Sequence, residues 1–92
     1  DCARALDRAP RCAETFDTLG LTQFLQGEYA NANENFSKAI QLKPDNGAAY
    51  FHRSMLHRKM GAEALAARDA ARSTRLGYKP ELWELGATQS AQ

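Results

Sequence analysis

Apolar and small residues recur at helical spacing in four successive stretches of the chain, each followed by a punctuating residue. In 13–26, Phe16, Leu19, Gly20 and Gln23 fall at i, i+3, i+4 and i+7, and Gly27 stands at a helix-ending position. In 29–42, Tyr29, Ala32, Phe36, Ala39 and Ile40 share one stripe, which stops ahead of Pro44. Tyr50, Arg53, Ser54 and His57 repeat the first stretch in 47–60, before Gly61. Ala66, Ala70, Ser73 and Leu76 repeat the second in 63–76, before Gly77. No strand pattern of period two is present. The spacing predicts four helices over 13–26, 29–42, 47–60 and 63–76.

The stretches also repeat as pairs, at an offset of 34 residues. Pro10 meets Pro44, Ala5 meets Ala39 and Ser73, Phe16 meets Tyr50, Gly20 meets Ser54, and Gly27 meets Gly61. Ala30 and Ala32 meet Ala64 and Ala66, and Leu42 meets Leu76. Size and chemistry are kept more than identity. A helix pair of this kind leaves an apolar face that only a neighbouring pair can cover, so the units should stack.

This pattern resembles the tetratricopeptide repeat family. Phe16, Leu19, Gly20, Gly27, Tyr29, Ala32, Phe36, Ala39 and Pro44 carry the likeness in 13–46. Tyr50, Ser54, Gly61, Ala66 and Ser73 carry it in 47–80, where Arg53 replaces an aliphatic residue, Ala70 an aromatic and Tyr78 a proline. The resemblance implies an all-α fold, antiparallel helix pairs stacked as a right-handed α-solenoid. It makes residues 1–92 a single domain. Residues 1–10 are then the tail of a preceding repeat, 13–46 and 47–80 are two whole repeats, and 80–90 is a capping helix. Pro80 suits the first turn of that helix, with Glu81 and Glu84 at its positive end.

The resemblance further implies a non-enzymatic protein–protein interaction module whose concave groove, lined by the first helix of each pair, takes a peptide or helix of a partner. The groove residues it implies are Glu14, Asp17, Thr18, Leu21, Phe24 and Leu25 from the first unit. From the second they are Phe51, His52, Met55, Arg58 and Lys59. Leu82, Trp83 and Leu85 offer an alternative cover for the apolar part of that floor. Family members that clamp the C-terminal carboxylate of heat-shock chaperones place Lys and Asn where this chain has Asp17, Leu21 and His52, which argues against that ligand. The alternative function is structural: a slice of a longer solenoid, or a self-associating scaffold unit without a groove ligand of its own. The chain begins at Asp1, without Met, which also favours a piece of a larger scaffold.

Composition narrows the picture. The 92 residues are 43% hydrophobic and 25% charged, with a mean hydropathy of −0.58, and hold no apolar run long enough to span a membrane. The net charge of +1 gives no overall field for nucleic acid, which is not expected as a partner. The charge is nevertheless divided. Residues 1–46 carry 5 basic and 7 acidic groups, residues 47–92 carry 7 and 4, and Arg68, Arg72 and Arg75 form a stripe. That asymmetry favours head-to-tail contact between molecules.

Catalytic and cofactor motifs are absent, so no cofactor and no enzyme activity are expected. His52 and His57 lie about 140° apart around a helix, too far to chelate one metal. His57 is expected between paired helices. Cys2 should lie about 9 Å along a helix axis from the turn before Cys12, whereas a disulfide needs Cα atoms within about 7 Å, so regular repeat geometry disfavours the bond.

Overall fold

The structure is a computed structural model that describes residues 10–80. Its four helices are α1 (Pro10–Leu25), α2 (Tyr29–Leu42), α3 (Gly47–Lys59) and α4 (Glu63–Arg75), with no strand among the described residues. Three of the four keep their predicted starts. The exception is α1, which begins at Pro10 rather than at 13. A proline at the first helical position gives up a donor that would have no partner there, and its preset φ is already helical. Most of the expected N-terminal remnant and of the expected capping helix lie outside the described residues.

The turns explain why the helices pair. At the end of α1, Gly27 adopts φ 82°, its N–H donates to the Phe24 carbonyl at 3.1 Å, and the Glu28 N–H donates to the Gln23 carbonyl at 2.8 Å. This pair of hydrogen bonds satisfies carbonyls that the helix end leaves open, and only glycine enters that left-handed conformation without a steric penalty. The turn after α3 repeats it at Gly61, with the Ala62 N–H on the His57 carbonyl at 2.8 Å. Each reversal is short enough to lay the next helix back on the one before. Between pairs, Asn46 caps α3 by accepting from the Ala49 N–H at 3.2 Å. Thus α1 packs on α2, α3 on α4, and the pairs meet where α3 touches both α2 and α1.

The core runs through that junction. Ala32, Phe36 and Leu56 are wholly buried, with Met55, Phe24 and Phe51 joined to them. Gly20 lets α1 approach α2: a Cβ there would lie 2.7 Å from Phe36 Cδ1 and 3.2 Å from the Ala32 carbonyl oxygen. Gly47 plays a similar part under the chain that leaves α4, where a Cβ would meet Tyr78 Cβ at 2.8 Å.

Two expectations are corrected. Leu19, which the helical stripe places inward, is 43% exposed. It faces a cleft of about 570 Å³ along α1, shared with Glu14, Thr15, Thr18 and Thr22. The residue that closes α1 onto α2 is its neighbour Gly20. Cys12, whose bonding regular geometry disfavoured, is disulfide-bonded. The distance argument took Cys12 as the start of a helix that follows a turn, whereas it is the third residue of α1 and is buried. No described helix is long and apolar enough to cross a membrane.

Candidate functional site

The faces of α1 and α3 carry the groove residues that the sequence implies, and the structure divides them by depth. Phe24, Phe51, His52 and Met55 are buried, and all but His52 belong to the core cluster. Asp17, Leu21 and Arg58 are half-buried, and Leu25 and Lys59 are exposed. Tyr78 covers part of the floor: its ring stands 5.6 Å from Phe51 and 6.2 Å, edge-on, from His52. The Phe36 ring also lies 5.9 Å from that of His52. These centroid spacings suit tilted and T-shaped aromatic pairs.

His52 also ties the two helix pairs together. Its Nδ1 lies 2.8 Å from Asp17 Oδ1, with both side chains largely removed from solvent. Near the same end of α1, Glu14, Asp17 and Thr18 border a cleft of about 360 Å³ with Lys43, Asn46 and Ala48. At the other end of α3, Arg58 donates to Glu63 at 3.3 Å, while its Nε is buried without an acceptor. An orphaned donor of this kind costs about 1–3 kcal/mol.

A second polar cluster lies between α3 and α4, and the sequence did not announce it. Arg53 Nε and Nη2 donate to the two carboxylate oxygens of Asp69, at 2.7 and 3.0 Å. Arg53 Nη1 donates to Ser37 at 3.3 Å, and His57 Nε2 stands 3.4 Å from Asp69. The bonds to Asp69 hold the Arg53 guanidinium above its ordinary range, outweighing the opposing effect of burial. The missed signal was Arg53 itself. A charge on the inner stripe of a helix requires a carboxylate on the facing helix, and Asp69 adjoins the inward Ala70.

His57 sits between the paired helices, as expected. Burial lowers its imidazole below the ordinary value of 6.5, the Asp69 charge pulls it upward, and Arg53 pushes it down again. The unfolded chain therefore takes up this proton more readily than the folded one. The stability that His57 contributes is complete above pH 6.5 and is lost as the pH falls below it. Melting temperatures at about pH 7.5 and about pH 5.5 should differ less for His57→Gln than for the parent chain. An equal or larger drop in the variant would contradict this account.

Two helix pairs, closed by matching turns and joined through a shared core, define a helix-pair repeat protein. Residues 13–46 match the tetratricopeptide repeat family. The match covers one repeat of 34 residues, and the repeats of that family generally serve protein interaction rather than catalysis. Over 51 residues, 55% of its length, the chain is 33% identical to the mitochondrial import receptor subunit TOM70 of Homo sapiens. The same identity and coverage hold for the proteins of that name in Rattus norvegicus and Mus musculus. The match spans 8% of each of these relatives. No solved structure matches the chain.

Proposed function

We propose that the chain binds a peptide or helix of a partner protein across the faces of α1 and α3, and that it has no catalytic role. In this reading Phe24, Phe51, His52 and Met55 form a rigid bed. Leu21 and Leu25 offer apolar contact, Asp17 marks the acidic end, and Arg58 and Lys59 supply the basic end. The observation that carries the reading is the mixed surface these faces leave to solvent, with Leu25 of α1 66% exposed, Lys59 of α3 exposed and Arg58 half-buried. The relatives' name describes a receptor subunit, a binding task that a tetratricopeptide segment suits.

Selection from a displayed peptide library against the 92-residue chain, followed by calorimetry, tests this. Selected peptides are expected to pair an apolar anchor with an oxygen acceptor. Leu25→Glu and Arg58→Gln should each weaken them roughly tenfold, the equivalent of about 1.4 kcal/mol. Peptides that bind both variants as tightly as the parent would end the groove reading.

Leu19 favours a second reading, in which this segment stacks within a longer solenoid. An apolar side chain 43% exposed at the rim of a cleft is what a neighbouring helix pair would cover. If a second copy supplies that cover, sedimentation should show association that Leu19→Glu abolishes. A strict monomer at high concentration would argue against self-assembly.

A further inference from the structure

Where α3 meets α4 lies an arginine-rich cleft of about 540 Å³, bordered by Tyr50, Arg53, Arg68, Asp69, Arg72 and Arg75. Asp69, the one acid in that lining, is already engaged by two nitrogens of Arg53 and by nearby His57. It is not free to neutralise the arginines of α4. Among the described residues no carboxylate pairs with Arg68, Arg72 or Arg75. Arg72 is held in place instead: its guanidinium carbon lies 5.8 Å from the Tyr50 ring centroid, and that of Arg53 lies 5.7 Å from the same ring. A guanidinium fixed on an aromatic ring loses less freedom on binding and keeps its fork of donors for an oxyanion.

We propose that this cleft is a second binding site, for an extended acidic segment of a partner protein. Along α4 the rise from Arg68 to Arg72 is about 6 Å and from Arg72 to Arg75 about 4.5 Å. In an extended peptide, alternate side chains stand about 6.6 Å apart on one face. Carboxylates at alternate positions therefore meet successive arginines, each pair able to form two charge-assisted hydrogen bonds. One small anion would not reach all three. A single-stranded nucleic acid fits less well, because two guanidiniums already lie over the cleft's one aromatic ring and a base would have to compete with them to stack there. The site is built from α4 and from Tyr50 and Arg53 of α3, shares no residue with the groove, and does not depend on the groove reading.

The test uses fluorescence anisotropy with the 92-residue chain and a labelled peptide of alternating Glu and Ser. A Gln-for-Glu counterpart and a single-stranded oligothymidylate serve as the other probes. The Glu peptide should bind, with an affinity that falls as salt rises. Arg72→Gln should weaken it roughly tenfold, and the combined Arg68→Gln, Arg72→Gln, Arg75→Gln variant should abolish it. These side chains are exposed or stacked at the surface, and circular dichroism of the variants should match the parent. Leu25→Ala should leave the affinity within about twofold, which separates this site from the groove. Equal binding of the Gln peptide, or unchanged affinity in the arginine variants, would overturn the proposal. Tighter binding of oligothymidylate that displaces the Glu peptide would assign the cleft to nucleic acid and equally overturn it.

Discussion

Phe36→Ala should lower the stability of the chain by about 3–5 kcal/mol, measured as a drop in the urea midpoint at unchanged slope. The ring is wholly buried. It lies against Gly20 of α1 and stacks on His52 of α3, so truncation opens a void shared by three helices. Domains of this size have about 5–15 kcal/mol in total, and the variant should sit near the edge of folding. Gly20→Leu tests the other half of the contact. Its new atoms would run into the same ring, at a cost of about 1–3 kcal/mol or more. Combining the two should cost less than the sum, because the added side chain fills part of the vacated space. A loss under 1 kcal/mol for Phe36→Ala, or strict additivity in the pair, would contradict this placement.

Asp69→Ala should be the second most damaging change, at about 2–3 kcal/mol. Removing one partner of a buried pair costs about 3–5 kcal/mol, and the lower figure allows for the solvent that still reaches Arg53. The loss comes chiefly from what is stranded, namely a guanidinium without its two acceptors and His57 without its charged neighbour. Adding Arg53→Met to Asp69→Ala should therefore recover much of the deficit. A double variant no more stable than Asp69→Ala would show that the pair is not the source of the effect. Thermal or urea unfolding distinguishes the outcomes.

The helix pairs were legible because their signals are local. Periodicity, the closing glycines and the offset between units each need only a short window of sequence, and they located α2, α3 and α4 within a residue. Depth was less legible. Phe51, His52 and Met55 share one face of α3 by their spacing, yet whether they are open depends on what crosses them. Tyr78, standing where a proline was expected, partly covers two of them. Leu19 shows the converse: its spacing is that of a core residue, but a core position needs something on its other side. Arg53 looked like a defect in the second unit until Asp69, sixteen residues away and on another helix, turned it into an ion pair. Such a partnership is a property of two surfaces meeting, which no single helical period encodes.

The double role of His52 has a consequence for how the molecule comes apart. In a stacked array, each unit's fate is tied to its neighbour's only through their shared boundary. Here one imidazole contributes both an aromatic contact to α2 and a polar contact to α1 across that boundary. Such strong nearest-neighbour coupling leaves little room for a state in which one helix pair is melted and the other intact. Amide hydrogens in α2 and α3 should then exchange through the same opening event, and the two pairs should behave as a single cooperative unit rather than as beads on a string.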